Sequence, residues 1–212
     1  MVEMNIVAIA DTHGFHHQVK CPAGDVLLVA GDICSFGTLE EIKEFRNWLQ
    51  VQPCPHKIVV AGNHDAPFAH EQELARQALT EKTPDIIYLQ DSSIEIDDVL
   101  FYGSPWTPTF MNWHFMADRG EQIREKWAKI PETTDVLITH GPPSTILDIA
   151  RGIPLGCEEL LTTALRIKPK IHIFGHIHEG YGMTMKNSTT FINASMCDGR
   201  YRATNKPVVL DL

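Results

Sequence analysis

Short apolar runs alternate with polar segments along this chain, and they are the first guide to its fold. Five nearly continuous runs stand out, at residues 6–10, 26–30, 58–61, 136–139 and 171–174. Continuous runs of this length are typical of strands that are buried on both faces, as in parallel sheets. The pattern therefore predicts five central strands.

Segments with helical spacing lie between several of these strands. Thr38 and Glu41 have the spacing of a capping box, and apolar residues recur at helical intervals after them. Strict alternation at 93–97 followed by an apolar stretch at 99–102 predicts a β-hairpin. The predicted helices are 39–50, 71–80, 118–130 and 157–167, and the strand-like segments of the tail are 181–185, 190–194 and 207–212.

The order of these elements indicates the fold class. Strands that alternate with helices favour an α/β fold, and the alternating hairpins favour mixed rather than purely parallel sheets. We predict two mixed β-sheets packed as a sandwich and flanked by helices, which makes four layers. The length of 212 residues fits one domain, so residues 1–212 are predicted to form a single domain.

Composition and charge limit the partners. The net charge of −9 and the lack of a basic stripe argue against long nucleic acid, but a small phosphorylated ligand remains compatible. No apolar run approaches the length of about 20 residues that a membrane helix needs, so no membrane partner is expected. Five scattered cysteines without a C-x-x-C pair are typical of reduced thiols, and residues 1–5 show no basic leader pattern. We therefore expect a cytoplasmic protein.

Metal-ligating residue types follow each of the five apolar runs. Oxygen and imidazole donors together suit Mn, Fe, Zn, Co or Ni rather than Ca or Mg. A glycine beside four of the stretches would let the backbone turn tightly, so that the next side chain faces a common site. The candidate donors are Asp11, His13, Asp32, Asn63, His140, His176 and His178, with His64 and Asp65 close by in the sequence.

These stretches, D-x-H, G-D, G-N-H-D, H-G and G-H-x-H in this order, resemble the calcineurin-like metallophosphoesterase family over residues 11–178. Residues 103–108 and 138–143 resemble a narrower branch, the metallophosphoesterase-domain-containing proteins, which includes phosphodiesterases that act on cyclic nucleotides. The resemblance implies two bound divalent transition-metal ions, and manganese is the metal that we favour. A hydroxide held between the two ions would be the nucleophile that attacks phosphorus.

The resemblance also implies a role for each donor. Three residues would hold the first metal and three the second, while Asp32 would bridge them. As the catalytic residues, His64 would stabilise or protonate the leaving oxygen, and Asp65 would orient His64. The first set is Asp11, His13 and His178, and the second set is Asn63, His140 and His176.

Two departures from the phosphoprotein phosphatases bear on the substrate. Ala61 stands where those enzymes have an arginine before G-N-H, and Asp32 runs into Ile33 rather than into an Asp-Arg-Gly element. A phosphomonoester dianion needs more positive charge than a diester, so we predict a phosphodiesterase for small diesters such as cyclic nucleotides. A phosphomonoesterase, a small nuclease and a non-catalytic metal-binding scaffold remain alternatives, and a homodimer is an open possibility.

The loop at residues 104–115 is unusually aromatic. Its side chains could stack a nucleobase beside the metals, or they could belong to the core or to a self-association patch. We favour the structural interpretation for this loop as a whole. His172 is predicted to be a core residue, and His16 and His17 are predicted to lie in a solvated loop. The aromatic residues of the loop are Trp106, Phe110, Trp113 and Phe115.

Overall fold

The computed structural model describes residues 4–212. The prediction made for residues 1–5 falls largely on residues 1–3, which lie outside the described part of the chain. The strands in chain order are β1 Asn5–Ile9, β2 Val26–Ala30, β3 His56–Val60, β4 Ile86–Tyr88, β5 Ser92–Ile96, β6 Val99–Ser104, β7 Thr107–Pro108, β8 Met116–Ala117, β9 Val136–Thr139, β10 Ile149–Ala150, β11 Ile153–Pro154, β12 Ile171–Phe174, β13 Gly182–Lys186, β14 Thr189–Asn193 and β15 Val208–Asp211. The helices are α1 Leu39–Leu49, α2 Ala66–His70, α3 Gln72–Thr80, α4 Glu121–Trp127 and α5 Glu158–Ile167, with short 3-10 helices at Phe15–Gln18 and His178–Gly180.

The strands form two mixed sheets. The first has the order β15-β1-β2-β3-β4, in which β15 is antiparallel to β1 and the other neighbours are parallel. The second has the order β13-β14-β12-β9-β6-β5, with antiparallel pairs at both edges and parallel pairs in the middle. Each antiparallel edge pair of the second sheet is a hairpin, which confirms the prediction for residues 93–102.

The two sheets pack face to face, as predicted. Alternate residues of β1, β2 and β3 point toward the second sheet and share one buried cluster with its strands. The intervening residues point outward and pack under α1 and α3, while the outer face of the second sheet is covered by α4 and α5. The result is the helix–sheet–sheet–helix arrangement expected from the sequence. The inter-sheet cluster includes Ile6, Val26, Ile58, Phe101, Val136 and Ile173.

The helix predictions hold with shifts at the ends. The Thr38–Glu41 capping box is present, and the helix after it ends at Leu49. Residues 118–130 form only the shorter α4, because Gly120 stands at its N-cap with a φ of 87°. Helix α2 and the small pairs β7–β8 and β10–β11 had not been predicted. Within residues 4–212, all helices are too short or too polar to cross a membrane.

Candidate metal centre

The seven predicted donors lie after the carboxyl ends of five central strands. β1, β2 and β3 are neighbours in the first sheet, and β9 and β12 are neighbours in the second. The carboxyl ends of parallel strands meet at one edge of a sheet. A backbone hydrogen bond from Ala10 N to Ala194 O, 2.8 Å long, ties the two edges together. The sandwich therefore brings side chains from both sheets into one place.

The first cluster is Asp11, His13 and His178. The Nε2 atoms of the two histidines are 3.2 Å apart, and His178 Nε2 is 3.7 Å from Asp11 Oδ1. One donor atom from each of these buried residues lies within 4.8 Å of the others. The cluster has the size and the chemistry to hold one metal ion.

The second cluster contains Asp32, His140 and His176, with one donor atom of each again within 4.8 Å of the others. Asn63 belongs to the same group, since its Oδ1 lies 2.9 Å from His140 Nε2. A single carboxylate oxygen, Asp32 Oδ2, lies 3.4 Å from His140 Nε2 and 3.7 Å from His13 Nε2. Asp32 is thus placed between the two clusters, as a shared ligand must be.

Two backbone carbonyls orient the histidine rings. His140 Nδ1 donates to Ala30 O at 3.0 Å, and His178 Nδ1 donates to Asp198 O at 3.1 Å. Each bond leaves the Nε2 lone pair directed at its cluster. A metal-binding histidine commonly has its second nitrogen fixed in this way.

Burial and the cluster charges move the histidine pKa values in different directions. Burial lowers the pKa of His140, but the Asp32 carboxylate outweighs burial and raises it to about 9. His178 also has a raised pKa, because its contact with Asp11 exceeds the effect of burial. Burial and the positive charge of His140 lower the pKa of His176 to about 4. Without metal, a protonated His140 therefore offsets part of the negative charge of the Asp11 and Asp32 carboxylates.

The backbone at the donors is strained and closely packed. Asp11, His13, Asp32 and His176 have φ values of 50°, 41°, 53° and 66°, a region that non-glycine residues rarely adopt. A Cβ atom on Gly62 would overlap Asp32 Oδ1, and one on Gly175 would overlap Asp11 Oδ2. These two glycines allow close approach rather than a positive φ. Backbone strain, and glycines that allow close approach, are typical of functional sites.

The clusters fit divalent metal ions. In the described part of the chain, the buried Asp11 Oδ1 and His13 Nδ1 have no hydrogen-bond partner. A buried carboxylate oxygen without a partner is costly unless a cation neutralises it. The donor set of carboxylate, amide and imidazole groups, arranged on both sides of Asp32, fits two transition-metal ions. His64 also has a donor atom within 4.8 Å of those of His13 and Asp32. The assignment of individual ligands stays a prediction.

His64 and Asp65 take different positions. The His64 amide donates to Asp32 Oδ1 at 2.8 Å, and its ring centroid lies 4.6 Å from that of His13. The carboxylate of Asp65 accepts from the amides of Gly62 and Cys34 at 2.8 and 2.9 Å instead of contacting the His64 ring. The carboxylate of Asp65 thus joins the loops that follow β2 and β3, and its predicted role in orienting His64 stays a prediction.

The aromatic loop divides into two parts. Trp106 packs against the cores and donates its Nε1 to Asp91 Oδ2 at 3.0 Å, so its role is structural, as expected. Phe115 is buried beside it. Trp113, in contrast, is 40% exposed and its ring centroid lies 4.3 Å from that of His64. The structural interpretation thus holds for one half of the loop, and the other half borders the metal centre.

A cleft of about 420 Å³ opens above the donors. Its floor includes Asp32, Asn63, His64, His176 and His178. Tyr201 covers the first cluster, with ring centroids 4.9 Å from His13 and 5.1 Å from His178. Two arginines, Arg119 and Arg151, also line the cleft, although neither adjoins a motif in the sequence.

The tail of the chain supplies supporting groups that sequence reasoning missed. The Ser195 hydroxyl donates to Asp11 Oδ2 at 2.5 Å. Asp198 supplies the carbonyl that holds His178, and its own carboxylate accepts from the backbone amides of Arg200 and Arg202. These contacts follow no repeated spacing in the sequence, so sequence reasoning could not have revealed them.

Comparison with known proteins places the chain in a family. Residues 4–180 match the family model described as calcineurin-like phosphoesterase. The chain is 41% identical over 228 residues to metallophosphoesterase domain-containing protein 1 of Homo sapiens, an alignment covering 97% of this chain and 70% of that protein. It is 25% identical over 179 residues to a probable cyclic nucleotide phosphodiesterase of Synechococcus, covering 82% of this chain and 66% of that protein.

Solved structures agree on the fold. The phosphopantetheinyl hydrolase of Mycobacterium tuberculosis superposes with a TM-score of 0.67 at 15% identity, covering 98% of this chain and 95% of that chain. At this identity the likeness concerns the fold alone. The family match, the 41% identity and the buried clusters of aspartate and histidine lead to one assignment. The chain belongs to the calcineurin-like metallophosphoesterase family.

Proposed function

We propose that this protein is a metal-dependent phosphodiesterase that hydrolyses small phosphodiesters, with cyclic nucleotides among the candidates and manganese as the favoured metal. One observation carries the proposal: donors of both clusters and the ring of His64 line the floor of the same cleft. A phosphate group entering the cleft would meet both. The similarity to a protein named as a probable cyclic nucleotide phosphodiesterase supports the choice of a diester.

The donors divide the work of binding. Asp11, His13 and His178 would hold one ion, Asn63, His140 and His176 the other, and Asp32 would be shared. Two such ions, when bound, supply positive charge for the phosphoryl oxygens and lower the pKa of a bound water toward about 7. The donors directly follow the ends of strands in two packed sheets, which would hold them in a fixed arrangement around the ions.

We assign the action on the leaving group to His64. Its backbone is held by Asp32, and its Nδ1 lies 3.3 Å from Ser35 O. If Nδ1 donates to that carbonyl, Nε2 is the nitrogen left for the substrate. The ring could then stabilise or protonate the leaving oxygen as the bond to phosphorus breaks. Trp113 lies against the ring and limits its movement.

The charge of the cleft favours a diester. A diester carries one negative charge, which the metal ions alone can balance. Arg119 donates Nη1 to Gly156 O at 2.8 Å and Nη2 to Leu155 O at 3.0 Å, so its guanidinium is held at the wall of the cleft with two of its five N–H groups engaged. The acidic net charge of the chain also fits a small ligand better than long nucleic acid.

A phosphomonoesterase is the second candidate, because Arg151 lines the cleft and could supply the extra charge that a dianion needs. Turnover of bis-p-nitrophenyl phosphate and p-nitrophenyl phosphate, measured side by side with added manganese, separates the two. We expect the diester to have the higher kcat/KM. A clear preference for the monoester would favour the second candidate, and no turnover of either would contradict both.

A further inference from the structure

The cleft continues beyond the metal centre between two walls. Residues 107–117 form the first wall and residues 142–157 the second. Each contains a small strand pair, β7–β8 in the first and β10–β11 in the second. Side chains of both walls line the cleft together with Asp32 and His176, so the space above the donors is continuous with the space between the walls.

Hydrogen bonds within each wall hold it in shape. In the first, Thr107 N donates to Phe115 O at 2.9 Å, and Thr109 N donates to Ala117 O at 3.0 Å. In the second, the buried carboxylate of Asp148 accepts from Thr145 N at 2.9 Å and from Gly156 N at 3.0 Å. Hydrogen bonds of this kind fix the shape of a loop in the absence of a ligand.

Arg119 fixes the distance between the walls. It follows the first wall in the chain, and its guanidinium donates to the carbonyls of Leu155 and Gly156 in the second. The two walls are therefore connected through Arg119. The cleft between them is preformed, which lowers the entropic cost of binding.

The walls expose apolar side chains to the cleft and to solvent. Phe110, Met111 and Trp113 are 57%, 73% and 40% exposed, and Leu155 on the opposite wall is 39% exposed. Apolar side chains grouped around a cleft and held in contact with water mark a binding surface. Methionine is well suited to such a surface, since its flexible chain adapts to ligands of different shape.

We propose that this cleft binds an apolar ester arm, so that the natural substrate is a phosphodiester with an alkyl or aryl group on one side. This inference rests on the proposed phosphodiesterase function and selects among small diesters. A nucleoside arm presents many polar atoms that would need partners. The walls offer few, because Thr109 and Arg151 are their polar side chains at the cleft, whereas Pro108, Phe110, Met111, Trp113, Met116, Ala150 and Leu155 are apolar.

A series of p-nitrophenyl alkyl phosphates tests the proposal, since the leaving group stays constant while the other arm varies. With manganese-loaded protein, kcat/KM should rise about two- to fourfold for each added methylene from methyl to hexyl, because a buried methylene contributes about 0.8 kcal/mol. The thymidine 5′ ester should stay within a few-fold of the methyl ester. A flat series, or a thymidine ester that exceeds the hexyl ester, would overturn the proposal.

Matched variants locate the effect. Met111→Ser and Leu155→Ser should each lower the hexyl-to-methyl ratio of kcat/KM by about threefold or more. Met185→Ser is the control. Met185 is 71% exposed, a fraction similar to that of Met111, but it does not line the cleft. Equal ratios in all three variants would contradict the assignment of the walls.

A binding experiment separates this proposal from the proposed function. Protein that hydrolyses none of the esters would contradict the phosphodiesterase assignment. Calorimetric titration with hexylphosphonate and methylphosphonate would still report on the cleft. Tighter binding of hexylphosphonate, lost in Met111→Ser and kept in Met185→Ser, supports the apolar cleft, and equal affinities refute it.

Discussion

The metal centre and the cleft walls differ in almost every physical respect. The donors of the metal centre are mostly buried, charged or polar, and stand on the ends of regular strands. The walls are exposed, largely apolar, and built from two-residue strand pairs and loops. Asp32 and Met111 illustrate the contrast, since they are 2% and 73% exposed although they line the same cleft.

Catalysis and substrate selection are therefore assigned to different parts of the protein. Catalytic chemistry needs donors held within fractions of an ångström, which a packed sandwich provides. Selection of a substrate needs only a surface of suitable shape and polarity, which loops can supply. Changes in the metal centre should therefore affect turnover of every substrate, whereas changes in the walls should affect some substrates more than others.

The largest effect is expected from Asp32→Asn, which preserves shape and removes the charge shared by the two clusters. Turnover of bis-p-nitrophenyl phosphate should fall by about a thousandfold or more, and bound metal should fall below two ions per chain. Asp97→Asn, at an exposed hairpin turn, is the control. Full metal content and near-normal turnover in the Asp32 variant would show that Asp32 does not join the clusters.

His64→Asn should lower kcat by about a hundredfold or more, since general acid catalysis typically contributes about 10²–10⁴. Metal content should stay unchanged, because the proposed role of His64 is toward the leaving oxygen. His17→Asn, at an exposed histidine, should have no effect on kcat. Loss of metal in the His64 variant, measured by elemental analysis, would make His64 a ligand instead.

Substitutions of Trp106 and Trp113 test whether the two halves of one loop differ, since Trp106 packs against the core and Trp113 belongs to a cleft wall. Trp106→Ala should lower the free energy of unfolding by about 2–3 kcal/mol, since it removes a partly buried ring and its bond to Asp91. Trp113→Ala should cost less than about 1 kcal/mol but raise KM for the hexyl ester. Denaturant unfolding and kinetics on both variants test this, and the opposite pattern would reverse the two assignments.

Metal binding should depend on pH, and the apolar preference should not. The pKa of His140 is raised to about 9, so its ring carries a proton at pH 7 when metal is absent, and the pKa of His178 is shifted in the same direction. Metal binding must displace the His140 proton, so affinity should weaken as pH falls below about 9, by about tenfold per pH unit for each proton released. Calorimetry in buffers of different ionisation enthalpy measures that release, and zero release at pH 7 would contradict the raised pKa values.

The sequence predicts the metal centre much better than the walls, and the reason is physical. Metal ligands belong to few residue types, and here they follow buried apolar runs whose strand assignment is clear, as with Asp11 after β1. The sandwich and its helices follow from the same periodicity. Individual roles for the seven donors and for His64 rest on the family resemblance and remain predictions.

The walls escaped prediction because their contacts join distant residues without periodicity. Nothing near Arg119 indicates that it reaches Leu155, and the β10–β11 pair is only two residues long on each side. His16 shows the same limit, since it is buried against Phe45 and Trp48 and not in the solvated loop that was predicted. The core position of His172 was predicted from its place within a strand and is confirmed.

The most direct test of the two-metal centre is a titration of metal-free protein with Mn²⁺, monitored by calorimetry and by electron paramagnetic resonance. We predict two bound ions per chain with a spin-coupled signal, because Asp32 places the two clusters side by side. Two uncoupled ions, or one ion or none at saturation, would contradict the two-metal centre on which the proposed chemistry depends.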